Sequence, residues 1–200
     1  MVSTAAGVAR SAAGAVLTGG ASRRMGRDKA TLPVDGRAMG ERVADALRSA
    51  GLSPVFCVGG SGLPGLELVA DPGLAGRGPM SGILGALGRA AASGASIVVV
   101  LACDLPGASA VGIGAVLAAL HAAPDSLVAV PVLDGRIEPL HAAWRVEALD
   151  IIAPDEPAVH RVIASLPHVE VGGLDPAWLR NVNRPEDLDP DRDPRRAGQA

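Results

Sequence analysis

Short apolar runs alternate along the chain with longer Ala-rich amphipathic segments, the pattern of strands and helices taken in turn. Residues 14–17 predict a first strand, ended by Gly19 and Gly20. Residues 40–50 predict a helix, with Val43, Leu47 and Ala50 on one face and Glu41, Arg42, Asp45 and Arg48 elsewhere, stopped by Gly51. Residues 55–58 predict a second strand, then a loop over 59–65 and a third strand over 66–69. A Gly- and Pro-dense stretch, 71–82, leads into a helix over 83–92. Residues 97–102, IVVVLA, form an unbroken β-branched run that fits a central strand covered on both faces. Beyond it the pattern predicts a helix over 108–122, a strand over 127–130 and a turn at Asp134-Gly135. Helical stretches over 145–152 and 158–166 and a last strand over 168–171 follow. Residues 189–200 carry no apolar periodicity and read as a disordered tail, which leaves 1–188 as one domain.

Composition narrows the class. Two hundred residues fit one α/β domain, and 48% apolar with 20% charged residues argues against disorder. Phe56, Trp144 and Trp178 are the only aromatics, so burial rests on Ala, Val, Leu and Ile. A net charge of −3, with so few rings to stack on, excludes a nucleic-acid partner. Cys57 and Cys103 lie in apolar runs at no zinc or redox spacing and read as buried free thiols. Residues 105–124 lack formal charge if His121 is neutral, but their Ala, Gly and Pro106 make no convincing membrane span. The N-terminal residues lack a basic start, so the expected location is the cytoplasm, with no membrane partner.

The strongest chemical signal is Leu17-Thr18-Gly19-Gly20-Ala21-Ser22-Arg23-Arg24-Met25-Gly26-Arg27-Asp28-Lys29. It follows a buried strand, placing the loop at the carboxyl edge of a parallel sheet, where α/β proteins bind ligands. Glycines let backbone N–H groups approach a phosphate, and four cations (Arg23, Arg24, Arg27, Lys29) cluster within seven positions to neutralise it. The loop matches neither the Walker A nor the Gly-x-Gly-x-x-Gly pattern. Seventeen of the eighteen basic residues are Arg, and the lone Lys29 marks a place where a compact ammonium is wanted.

Asp104, just past the central run, shares that sheet edge and fits a Mg²⁺ ligand; a helix N-cap is the competing reading. In 71–82, Asp71 opens a small-residue loop that admits a ligand, the plain alternative being a surface loop. Asn181-Val182-Asn183-Arg184-Pro185 reads locally as a helix start capped by Asn183. The four histidines have no Ser or Cys partner at triad spacing; His141 is read as structural, with ligand contact as the alternative.

In order and spacing these motifs resemble the molybdenum cofactor guanylyltransferase family of the nucleotidyltransferase superfamily. The residues that carry the resemblance are the glycine motif at 17–29, with Thr18 where the family often has Ala, and Gly-Pro-x-x-Gly at 78–82. Asp-x-Pro at 104–106, Glu-Pro-Leu at 138–140 and Asn-x-Asn-x-Pro-Glu-Asp at 181–187 complete it. The resemblance implies a three-layer α/β/α fold with a mostly parallel Rossmann-like sheet. It implies Mg²⁺-dependent transfer of GMP from GTP to molybdopterin, with pyrophosphate released. Carried over, Leu17, Thr18, Gly19 and Gly20 cradle the nucleotide, Lys29 meets its phosphates, Asp71 contacts GTP, Asp104 holds Mg²⁺, and Arg24, counted with Lys29 and Asp104 as catalytic, helps shape the pocket. Gly78, Gly82, Asn181 and Asn183 shape the shared pocket, the asparagines toward the pterin. Other cofactor-biosynthesis proteins or a target molybdoenzyme are further partners in that picture. Relatives often carry an arginine near 158–160, where this chain has Ala158, Val159 and His160, so the contact to the acceptor's phosphate stays open. Alternatives are a CTP-dependent cytidylyltransferase, another small nucleotidyltransferase, or a silent nucleotide-binding accessory protein.

Overall fold

The computed structural model describes residues 11–19, 29–34, 36–72, 78–152, 158–183 and 187. Gly20, Arg23, Arg24, Arg27 and the tail over 189–200 lie outside them. Strands β1 (Ala12–Leu17), β4 (Val55–Val58), β5 (Glu67–Val69) and β6 (Ile97–Ala102) run parallel, with β1 between β4 and β6. Beyond β6 lies β9 (His141–Arg145), antiparallel both to β6 and to β7 (Val128–Leu133). Strand β10 (His168–Val171) closes that side parallel to β7, giving the order β10-β7-β9-β6-β1-β4-β5. A short β8 (Arg136–Ile137) pairs with β7, and β2 (Pro33–Val34) with β3 (Arg37–Ala38) makes a separate hairpin.

Period-two alternation splits the sheet's side chains between two cores. In β6, Ile97, Val99 and Leu101 join one core with Val43 and Leu47 of α1 (Met39–Ser49) and Ile113, Val116 and Leu120 of α3 (Ala110–Ala122). Val98 and Val100 join the other with Ile83 and Leu87 of α2 (Pro79–Ala92) and Val162 and Ile163 of α4 (Val159–Ser165). The result is the expected three-layer α/β/α fold, with all of β6 buried. Close approach compensates for the scarcity of rings. A Cβ on Gly14 would lie 3.1 Å from Leu47, so α1 packs down onto β1.

Three departures from the sequence pattern bear on the site. The helix expected over 145–152 is a strand ending at Arg145 followed by a 3-10 helix, Val146–Asp150. Arg145 is buried, and its guanidinium donates to the carbonyls of Leu120 (2.8 Å), Ser126 (2.8 Å) and Ala123 (3.5 Å), at and beyond the C-terminus of α3. A cation there satisfies carbonyls that the helix leaves unpaired. Second, α2 begins at Pro79 rather than residue 83, because Gly78 (φ 57°) supplies a left-handed cap and Pro79 takes the first helical position. Third, a 3-10 helix over Pro176–Leu179 lies across the turn after β6. A Cβ on Gly107 would stand 2.4 Å from the Ala177 carbonyl, and one on Gly112 would stand 2.9 Å from the Trp178 ring. Among the described residues, no helix is long and apolar enough to cross a membrane.

Candidate active site

The register brings the candidate residues to one edge. Leu17 pairs with Val58 and with Ala102, so β1, β4 and β6 end level, and the antiparallel β9 begins there with His141 opposite Leu101. After β1 the chain leans toward β4: the Thr18 and Gly19 amides donate to the Val58 carbonyl at 3.0 and 3.2 Å. The buried Thr18 hydroxyl reaches the Val58 and Gly59 carbonyls. Gly60 (φ 65°) turns so tightly that a Cβ there would lie 2.5 Å from the Thr18 carbonyl oxygen. The glycine motif is thus braced by a second Gly-Gly pair, Gly59-Gly60, which the sequence reading passed over as loop. Its signal was present: both pairs end an apolar strand.

Lys29 opens a 3-10 helix, Lys29–Thr31, that packs on α1. Its ammonium donates to the Asn183 side-chain oxygen at 2.7 Å and stands 3.8 Å from the Asp104 carboxylate. Asp104 does not cap the helix that follows it; Ser109 does, accepting from the Val111 amide. Its carboxyl is partly buried, and burial pushes its pKa up, with Lys29 opposing that rise. The strap after Trp178 holds this turn, since the Val182 amide donates to the Asp104 carbonyl at 2.8 Å.

A half-buried carboxylate facing one ammonium is a hard oxygen donor. Among the described residues no cluster of three or more His, Cys, Asp or Glu gathers around it. Such a lone carboxylate fits Mg²⁺, which takes one or two protein carboxylates and fills its remaining positions with water and substrate phosphates.

The other candidates are spread around this pair. Asp71 follows β5, on the β4 side, and its carboxylate accepts from Ser81 in the first turn of α2. Gly82 lies beneath Leu17, where a Cβ would come within 3.1 Å of that side chain. Asn181 lines a cavity with Glu138 and His141. The Asn183 side chain accepts from Lys29, while its own amide donates to Asp187 at 2.8 Å; the helix start expected after it, at 184–186, lies outside the described residues. Cys57 and Cys103 are buried and form no disulfide, and burial pushes the Cys57 thiol up.

This arrangement sets a glycine-bounded loop, one ammonium and one carboxylate at the carboxyl edge of a doubly covered sheet. It suits a phosphate chain met by the ammonium on one side and by a cation held on the carboxylate on the other, and comparison with known proteins agrees. A "Probable molybdenum cofactor guanylyltransferase" of Opitutus terrae is 37% identical over 194 residues, covering 90% of this chain and 94% of its own. The molybdenum cofactor guanylyltransferase of Rhodobacter capsulatus is 34% identical over 88% of this chain and 92% of its own. The crystal structure of a molybdopterin-guanine dinucleotide biosynthesis protein A from Archaeoglobus fulgidus shares the fold at a TM-score of 0.64 and 22% identity, over 88% of this chain and 94% of its own. The family model of the MobA-like NTP transferase domain matches residues 14–170, and the chain belongs to that family of nucleotidyltransferases.

Proposed function

We propose that this chain is a molybdenum cofactor guanylyltransferase that transfers GMP from GTP to the phosphate of molybdopterin. The observation that carries the reading is the meeting of Lys29 and Asp104, 3.8 Å apart at the end of the glycine-bounded strand. The names borne by relatives at 34–37% identity support the choice of GTP and molybdopterin. On this reading residues 1–188 act as one domain in the cytoplasm.

The acceptor is already an anion, so the chain has no hydroxyl to deprotonate and needs no nucleophile of its own. An oxygen of the acceptor's phosphate attacks the α-phosphorus of GTP; the bond to the β-phosphate oxygen breaks, and pyrophosphate leaves with that electron pair. The work left to the protein is alignment and charge neutralisation. Backbone amides of the loop after Leu17 bind the phosphates, and Arg24 and Lys29 offset their charge. Lys29 is held at the ready by Asn183. Asp104 would hold Mg²⁺, which as a Lewis acid would draw charge from the phosphate oxygens. Asp71, anchored by Ser81, meets the nucleoside on the β4 side.

The test is direct. Purified protein with Mg²⁺, molybdopterin and either GTP or CTP is assayed for pyrophosphate and for the dinucleotide product. Guanine dinucleotide formed in preference to the cytosine product supports the reading. A preference for CTP, or no pyrophosphate from either, overturns it.

A further inference from the structure

Val182 stands between two asparagines and its side chain offers a ligand no polar atom, yet it is buried. It belongs to neither sheet core. Among the described residues it joins a third, small apolar cluster with Val34 of β2, Met39 at the start of α1 and the partly buried Leu32. Two of these partners are tied through the backbone to the lysine. The Leu32 amide donates to the Lys29 carbonyl at 3.1 Å, and the Met39 amide donates to the Leu32 carbonyl at 2.9 Å. The cluster is the footing of the segment that carries Lys29.

The backbone of the same residue holds the other charge. The Val182 amide donates to the Asp104 carbonyl at 2.8 Å, at the turn that presents the carboxylate. The Asn183 bond to the ammonium is solvent-exposed, where water competes for both partners. Water does not compete with the burial of an apolar side chain; it drives it. A β-branched side chain is also stiff about χ1, so a seated valine fixes the backbone behind it. Such fixing matters, because a misplacement of about 1 Å at a reacting site can cost about a hundredfold in rate.

We propose that Val182 is a positioning residue for the Lys29–Asp104 pair. Its side chain clamps the strap against the segment that carries the lysine, and its amide clamps the strap to the turn that carries the carboxylate. The 3.8 Å separation of the two charges is therefore held by an apolar anchor and not by their attraction alone. The effect on turnover rests on the guanylyltransferase reading; the effect on the lysine does not.

The test uses the full chain. It has one lysine, so ¹⁵N-lysine labelling gives one side-chain Nζ signal, visible when a hydrogen bond slows proton exchange and broadened when the ammonium is free. The wild type should show that signal. Val182→Ala should broaden it beyond detection and lower turnover at saturating GTP and molybdopterin by about tenfold or more. Val182→Ile, which refills the cluster, should restore both. Val128→Ala makes the same deletion at a buried position level with Trp144 and Val98, toward the opposite edge of the sheet. It should lower the melting temperature and leave signal and turnover as they are. An absent wild-type signal, a signal unchanged in Val182→Ala, an equal loss in Val128→Ala, no recovery in Val182→Ile, or turnover that does not follow the signal overturns the proposal. So does a Val182→Ala chain that fails to fold, since the cluster would then hold the fold and not the pair. If the Nζ pattern holds while the wild type forms no guanine dinucleotide, the anchor stands and the guanylyltransferase reading alone falls.

Discussion

The Lys29 ammonium donates to the Asn183 side-chain oxygen at 2.7 Å across 154 positions of chain. The bond holds the only lysine of an Arg-rich protein beside the Asp104 carboxylate, before any phosphate arrives. An amide oxygen restrains an ammonium without neutralising it, so the charge stays available to a ligand.

Lys29→Ala should therefore lower turnover by about a hundred- to a thousandfold, the usual consequence of losing one preorganised charge contact. Pyrophosphate release measures it. Asn183→Ala, which leaves the ammonium in place but unrestrained, should cost less. A Lys29→Ala protein with near-native turnover would remove the ammonium from the mechanism.

For Asp104→Asn the expected pattern is a melting temperature close to that of the wild type and turnover largely abolished. Shape is retained, and the helix that follows is capped by Ser109 instead. What disappears is the charge that would hold Mg²⁺. Calorimetric melting and rates measured over a Mg²⁺ series check both halves; near-native turnover with an unaltered Mg²⁺ dependence would refute the metal role.

Gly60→Ala should destabilise the protein by roughly 1–3 kcal/mol, because it forces a left-handed backbone on a residue with a Cβ. That Cβ also has backbone in its way, the Thr18 carbonyl at 2.5 Å. As the displaced strand end belongs to the nucleotide loop, GTP affinity should fall with stability. Urea unfolding and calorimetry with GTP test the pair of effects, and a fully stable variant would show that the two loops are not braced.

Stability should fall in acid through His141. The unfolded chain protonates it near pH 6.5, whereas the folded chain keeps it neutral down to about pH 4. Between those values the unfolded state binds more protons, so its population gains as pH drops; the full contribution is present above pH 6.5. At about 1.4 kcal/mol per pH unit the loss approaches roughly 3 kcal/mol. Urea midpoints at pH 7 and pH 4.5 should differ less in His141→Leu than in the wild type, and equal differences would contradict the assignment.

Arg145→Met should cost about 1–3 kcal/mol in urea unfolding, since the Leu120 and Ser126 carbonyls lose the guanidinium inside the protein, while Ala123 keeps the Ser126 amide. A neutral result would mean that water replaces the guanidinium there.

That arginine also shows where local sequence stops being informative. Ile97–Ala102 and Val55–Val58 were legible to the residue, because β-branched runs bounded by turns admit few other structures. His141–Arg145, HAAWR, has two alanines and a charge where a strand usually has β-branched residues, so its pattern marks no strand and Arg145 reads as the start of the helix expected over 145–152. Its strand state is imposed by β6 and β7 on either side and by the carbonyls waiting for Arg145. The same division runs through the site. Lys29 and Asp104 were legible from a lone lysine and a strand end. The bracing by Gly60, the anchoring of Asp71 by Ser81 and the open nitrogens of His141 depend on partners distant in sequence, and local pattern does not report them.

The strap that carries Trp178, Asn181 and Asn183 has a consequence for mutation. Every described strand of the sheet is encoded before it, so the sheet and the strap that restrains the site come from separate stretches of sequence. The strap supplies the Asn183 restraint on Lys29 and the Val182 tie on the Asp104 backbone. Architecture and chemistry are thus written in different parts of the chain, and a lesion confined to the strap should strike the restraint of Lys29 and Asp104 while leaving the strand register as it is.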